Sequence, residues 1–285
     1  MPSIVIIGGG PAGLSAAVYA ARSNVQTTVL YRNGGALEKT DKIENYFGFT
    51  EPLTGPDLLA RGRAQAERLG ASLVQAEVTG IEYAEKGYTV KTTAGVYAAD
   101  AVILATGAPR AVPLLPGVAE LEGRGVSYCA VCDAFFYRGK AVAVLGEGEY
   151  ALEEARTLLP VAASVTLLTG GADAPDTLPE GLAVDRRPLA AIVGEDKVQR
   201  VEFTEGEALP VDGVFIAYGT AGSADFARKL GAQTDGPRIL TDATGATNVP
   251  GIFAAGDCTG GLLQVAKAVA DGAQTALGAV KYVRR

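Results

Sequence analysis

The chain has 285 residues, 48% hydrophobic and 20% charged, with 37 glycines, a net charge of −7 and a pI near 4.9. Such a composition belongs to a globular α/β protein, excludes a disordered chain, and argues against nucleic acid or an anionic membrane surface as main partner. No apolar run is long enough to span a bilayer and "MPSIVIIGGG" lacks the basic stretch and cleavage site of a signal peptide, so a cytoplasmic protein is expected.

"SIVIIGGGPAGLSAAVYAARS" reads as a short β-branched strand, a glycine turn and a helix of small residues, with Gly8, Gly10 and Gly13 forming a complete G-x-G-x-x-G. Gly8 permits the tight turn, Gly10 lets a pyrophosphate approach the backbone, and Gly13 lets the helix pack on the strand. The helix N-terminus supplies N–H groups and partial positive charge. "TTVLY" is the next strand, but Arg32-Asn33-Gly34-Gly35 follows it, without the acid that usually holds an adenine ribose. "ADAVILATGAPR" is a buried strand ending in Ala105-Thr106-Gly107. "VPGIFAAGDCTGG" is another, ending in Gly256-Asp257, and the apolar periodicity of "LLQVAKAVADGAQTALGAVKYV" predicts a closing helix.

A second glycine unit lies between them, "KAVAVLGEGEYALEEARTLLP" followed by the strand "SVTLLTGG". The expected fold is α/β: two nested Rossmann-like, three-layer dinucleotide-binding domains, the second inserted into the first. Turn residues near Ala108-Pro109-Arg110 and Thr234-Asp235-Gly236 set the expected limits at 1–108, 109–235 and 236–285.

Just before the second unit, Cys129 and Cys132 form a Cys-x-x-Cys followed by Asp133. Three cysteines make no disulfide framework, and no second Cys-x-x-Cys or histidine pair completes a zinc site, so no metal is expected. The absence of histidine removes every mechanism that needs an imidazole. A redox dithiol fits, since a thiolate is the reacting species and a neighbouring carboxylate can shuttle its proton. Inert core cysteines are the alternative, and Cys258 reads as a small core residue.

The segments GGGPAG, "IENYFGF", "PLTGPDLL", "ILATGAPR", "YCAVCDAFFYRGK", "GIFAAGDC" and "LQVAKAVADG" occur here in the order found in the low-molecular-weight thioredoxin reductases, a flavoprotein family that the whole chain resembles. The resemblance implies FAD on Gly8, Gly10, Pro11, Ala12 and Gly13, in reach of Arg32, Gly34, Gly35, Asn45, Val78, Ala105, Thr106 and Gly107. It places the ribityl chain near Gly256 and Asp257, and the isoalloxazine near Gln264 and Val265. By the same resemblance Cys132 faces the flavin, Cys129 attacks the partner's disulfide, Asp133 moves the proton, thioredoxin is the partner and the protein is a homodimer. Leu263 departs from the family, which has arginine before that glutamine.

The second glycine turn also departs. Glu147 and Glu149 flank the place of an NADPH pyrophosphate, and at ~7 Å and an effective dielectric of ~20 each carboxylate–phosphate pair costs roughly 2 kcal/mol, about tenfold or more in affinity. Side chains that swing into water escape most of that. An NADPH site also needs a cation just past the next strand, where the family has a His-Arg-Arg type run. Here Thr169-Gly170-Gly171-Ala172 follows, Asp173 suits at best an NADH ribose, and Arg186-Arg187 open a separate segment. The expectation is an FAD enzyme with a lost or altered NADPH site, closest to the branch that takes electrons from ferredoxin or holds a second flavin. Arg61, Arg63, Arg110, Arg124, Arg138 and Lys140 are the candidate cations for an acidic ferredoxin, and Phe135-Phe136-Tyr137 either docks a partner or fills the core. An NAD(P)H-dependent reductase with an altered pocket and a flavin redox sensor without turnover are the alternatives.

Overall fold

The computed structural model describes residues 1–107, 114–128, 130–218 and 222–285, with 131 and 132 described by their helical backbone alone. The chain divides into two compact units, one of Met1–Pro109 with Gly222–Arg285 and one of Arg110–Ala221.

The first unit opens with β1 (Ser3–Ile7), α1 (Pro11–Arg22) and β2 (Gln26–Tyr31), followed by α2 (Gly55–Arg68) and β3 (Ser72–Gln75). An antiparallel meander of β4 (Val78–Tyr83), β5 (Tyr88–Thr92) and β6 (Gly95–Ala99) precedes β7 (Ala101–Leu104). In the second unit, β8 (Val126–Ser127) runs into the short helix α3 (Ala130–Asp133), then β9 (Ala141–Leu145), α4 (Glu149–Leu158), β10 (Ser164–Leu168) and β11 (Leu182–Asp185). A second antiparallel sheet of β12 (Leu189–Val193), β13 (Arg200–Phe203) and β14 (Leu209–Pro210) leads to β15 (Gly213–Ile216). The chain returns to the first unit with α5 (Ser223–Lys229), the hairpin β16 (Thr234–Asp235) and β17 (Arg238–Ile239), β18 (Ile252–Ala254) and the closing helix α6 (Val265–Val283).

Each unit is built on a parallel sheet, in the order β18-β7-β1-β2-β3 in the first and β11-β10-β9-β15-β8 in the second. The expected α/β architecture of two nested Rossmann-like sheets is thus the fold. Strand β7 is apolar throughout and β1 is apolar after Ser3, and Ile4, Ile6, Ile103 and Leu104 are buried, as strands covered on both faces must be. Small residues set the helix layer: Ala12, Ala16, Ala17 and Ala20 of α1 and Ala276 and Ala279 of α6 are buried in one cluster. Ser15 Oγ donates to Val269 O at 2.7 Å, and a Cβ added at Gly272 would lie 2.1 Å from Ala12 O.

The second crossing between units falls at 221/222, which corrects the boundary expected at Thr234-Asp235-Gly236. That turn is the β16–β17 hairpin, inside the first unit. Long-range bonds invisible in a local turn signal hold the segment there. Tyr83 Oη donates to Leu230 O (2.6 Å), Asn248 Nδ2 to Gly231 O (3.1 Å), and Ser223 N to Thr106 Oγ1 (2.8 Å).

Because a methyl group at residue 272 would force α6 off backbone, Gly272→Ala is expected to cost about 2 kcal/mol of stability, as overpacking does. Urea unfolding of the two proteins measures it, and a difference under about 0.5 kcal/mol would refute the close approach.

Candidate active site

In the first unit the ends of β1, β7 and β18 lie side by side, the place where parallel sheets bind nucleotides. Gly8 has φ 125°, and a Cβ there would sit 2.1 Å from Ala105 O, so the glycine turn rests directly on the end of β7. A Cβ at Gly13 would meet Gly8 O at 1.9 Å, whereas the space above Gly10 is open. Gly10 N-caps α1 without any side-chain cap and Pro11 opens the helix, leaving the first-turn N–H groups for an anion. This cradle, with no acid in the first helical turn, fits the pyrophosphate of FAD.

Of the residues expected around FAD, Thr106 and Gly256 lie against this cradle. Thr106 is locked to Ser223, a residue the motif reading missed: Thr106 N donates to Ser223 Oγ at 3.0 Å, and the two hydroxyls lie 2.8 Å apart. Gly107 and Gly256 have φ 84° and 83°, which glycine alone adopts readily. Asn45 Nδ2 donates to Gln264 Oε1 at 2.8 Å, joining residues 219 positions apart at the start of α6, where Val265 is the first helical residue. Gly34 N donates to Glu38 Oε2 (3.3 Å) and Gly35 N to Asn33 Oδ1 (3.1 Å), shaping the turn after β2. Arg32 pairs with Glu77 at 3.7 Å. Val78 is buried in the meander. Burial pushes the Asp257 carboxyl above its usual range, with Lys267 opposing the shift and Asp271 adding to it.

In the second unit the dithiol segment also follows a carboxyl strand end, that of β8. Cys129 lies outside the described residues, and Cys132 lies within α3. Ser127 Oγ donates to Asp133 Oδ2 at 2.6 Å, orienting the expected proton carrier. The Ala130 N–H, at the start of α3, donates to Oε2 of buried Glu154 at 2.6 Å. Sequence reasoning missed Glu154. Its signal was an acid on the apolar face of "YALEEARTLL", where Tyr150, Ala151, Ala155 and Leu158 are its buried neighbours. Phe135 and Phe136 are exposed at 71% and 66%, so they are surface rather than core, while Tyr137 packs edge-on against Phe215 at 5.2 Å. Tyr137's hydroxyl titrates above its usual range because of burial, then Asp133 and Asp212.

The second glycine turn is compact: a Cβ at Gly146 would meet Ala217 O at 2.3 Å. Gly148 N-caps α4, and Glu149, its first residue, lies 3.8 Å from Arg156, which also binds Glu153 at 3.1 Å. After β10, Thr169 Oγ1 donates to Ala172 O at 2.6 Å and closes a turn without any cation of its own. Arg186-Arg187, which open a separate segment of the sequence, come back beside this turn. Pairing of Leu168 with Asp185 sets them beside it, and Arg186 stands 3.8 Å from Asp173. Arg187 is otherwise committed, chelating Asp185 (2.6 and 3.0 Å) and stacking over Phe203 at 3.8 Å.

Of the candidate ferredoxin cations, Arg110 lies outside the described residues. Arg61 stacks on Phe49 and Arg63 on Tyr31, in the first unit, and Arg124 donates to Glu120 O in the second. Arg138 stacks on Phe135 and Lys140 donates to Phe136 O, so these two flank the exposed aromatic pair. Among the described residues no group could hold a metal, and no helix is long and apolar enough to cross a membrane.

A parallel sheet with a neutral glycine cradle, and a second parallel sheet whose β8 leads to the short helix containing Cys132, suit a nucleotide-dependent redox protein. The chain belongs to the pyridine nucleotide-disulphide oxidoreductase family, which matches residues 2–272. It is 38% identical to the thioredoxin reductase of Aquifex aeolicus (strain VF5), over 98% of this chain and 93% of that one. Among solved structures it is similar to the atypical thioredoxin reductase TRi from Desulfovibrio vulgaris Hildenborough, with a TM-score of 0.93 and 43% identity over 100% of this chain and 98% of that one. A ferredoxin-flavin thioredoxin reductase from Clostridium acetobutylicum follows with a TM-score of 0.72 and 32% identity, covering 99% and 98%. The protein is a thioredoxin-reductase-like flavoprotein disulfide oxidoreductase, for which FAD is the implied cofactor.

Cys258 is buried, its thiol donates to Leu104 O (3.5 Å) and Ala255 O (3.3 Å), and burial pushes its pKa up to about 11. It therefore stays a protonated, shielded thiol at neutral pH. Iodoacetamide at pH 8 is expected to leave Cys258 unlabelled until the protein is unfolded. Labelling of the native protein at this residue, read by peptide mass, would contradict that.

Proposed function

We propose that the protein reduces a protein disulfide, thioredoxin first among candidates, with electrons that do not come from NADPH. The observation that carries this reading is the pair of acids at the start of α4. Glu149 opens the helix and Glu147 precedes its cap, so this chain's own carboxylates stand where a nicotinamide pyrophosphate would need positive potential. A reduced ferredoxin is the favoured donor, a reading supported by the name of the Clostridium relative. A second flavin is the next candidate, and a homodimer is the expected assembly.

When bound, FAD supplies the two-electron chemistry that joins a one-electron donor to a dithiol. It would be held by Gly8 to Gly13, Thr106-Gly107, Asp257 and the Asn45–Gln264 pair. Two electrons and two protons convert the Cys129–Cys132 disulfide to the dithiol. Asp133, oriented by Ser127, holds the proton that Cys132 gains or loses. The Cys129 thiolate then attacks one sulfur of the partner's disulfide, and Cys132 displaces that mixed disulfide, leaving the partner reduced and re-forming Cys129–Cys132.

Arg186 favours a second reading, an NAD(P)H-dependent reductase with an altered pocket, because it sets one cation beside the end of β10. Anaerobic titration of the flavin band separates the two. Reduced ferredoxin or dithionite is expected to bleach it within seconds, and NADPH and NADH not to. Bleaching by NADPH at an ordinary enzymatic rate would sink the proposal. If the two acids are what excludes NADPH, Glu147→Gln with Glu149→Gln is expected to raise NADPH affinity about tenfold or more. Calorimetry on the double variant reads this directly, and an unchanged affinity moves the cause elsewhere. Cys129→Ser is expected to abolish flux to thioredoxin while leaving flavin reduction intact, and persistence of that flux would favour another route.

A further inference from the structure

Lys267 stands in the first turn of α6, with its side chain 20% exposed, and turns its ammonium group onto a single backbone turn. Its Nζ donates to Gly256 O (2.9 Å), Thr259 Oγ1 (3.0 Å) and Gly260 O (2.6 Å) and pairs with Asp271 Oδ2 at 2.7 Å. Asp271 Oδ2 in turn accepts the Gly256 N–H at 3.1 Å. One ion pair therefore grips both ends of the turn Gly256–Gly260, whose end glycines have φ 83° and 79°. Asp257 lies inside that grip. The charged groups acting on its carboxyl are Lys267 and Asp271 of α6, the Cys258 thiol is its chain neighbour, and Arg238 of β17 packs against Gly260 at the far end of the turn. Lys267 and Arg238 are the cations of this set.

We propose that Lys267, paired with Asp271, is the positioning residue of the FAD site, fixing the 256–260 turn so that the Asp257 carboxylate is held to accept from ribityl hydroxyls. The inference rests on the reading that Asp257 meets the ribityl chain. A carboxylate makes stronger hydrogen bonds to a hydroxyl than its acid form does. With the lysine removed, burial and Asp271 both act to protonate Asp257, so FAD affinity should fall as the pH falls.

The test is reconstitution of full-length apoprotein with FAD, following flavin fluorescence between pH 5.5 and 8. Lys267→Met and Lys267→Gln are expected to bind FAD about tenfold more weakly, as loss of a charged hydrogen-bonding group does, with the deficit growing at low pH. Lys267→Gln keeps donors and most of the length, so its acid-dependent loss isolates the charge from the scaffold. Lys267→Arg is expected to recover most of the affinity and the flat pH profile, and if Lys267→Met does not fold, the glutamine and arginine variants carry the comparison. A Lys267→Gln protein that matches wild type at every pH overturns the inference. So does Asp257→Ala with undiminished affinity, which overturns the ribityl assignment with it. If Asp257→Ala loses FAD while both Lys267 variants hold it, the assignment stands and only the role of Lys267 fails.

Discussion

Parallel pairing of β1 with β7, and of β7 with β18, is the constraint on which the first site depends. A parallel register sends every strand's carboxyl end to the same edge. Residues 8, 106 and 257, far apart in the chain, thereby come to adjacent strand ends. The close contact between Gly8 and Ala105 O follows from that register, and side chains are excluded from the turn because the backbone of β7 already fills the space. The same geometry in the second unit brings the turn after β9, the turn after β10 and the helix after β8 to one edge.

The two glycine turns each press on the end of a neighbouring strand and differ in charge. The first helix begins with Pro11 and has no acid in its first turn, whereas Glu149 begins the other and forms an ion pair with Arg156. A helix N-terminus favours negative charge, and an acid in the first turn supplies some of it from the chain itself. The second turn keeps the packing role of its glycine, pressed on Ala217 O, and carries an acid in the first turn of its helix.

Hydrogen bonds from both sides anchor the dithiol helix. Ser127 orients Asp133, and Glu154 receives the first amide of α3 from within the core. A short helix cannot hold itself together in water, so these tertiary bonds, with Tyr137 wedged against Phe215, fix where Cys132 sits in the backbone. The exposed Phe135 and Phe136, flanked by Arg138 and Lys140, leave an apolar and basic surface beside it.

The amino-acid sequence by itself determined the fold class, the first glycine turn, the dithiol with its acid, and the acids in the second turn. Each of these is a local pattern, in which residues a few positions apart meet by the geometry of one strand, turn or helix. Only the tertiary structure decided that Ser223 locks Thr106, that Asn45 meets Gln264, that Lys267 and Asp271 hold the turn of Asp257, and that Arg186 stands beside Thr169. The segment after residue 222 belongs to the first unit for the same reason. These contacts join positions brought together by strand order and helix packing, and no spacing along the chain encodes them.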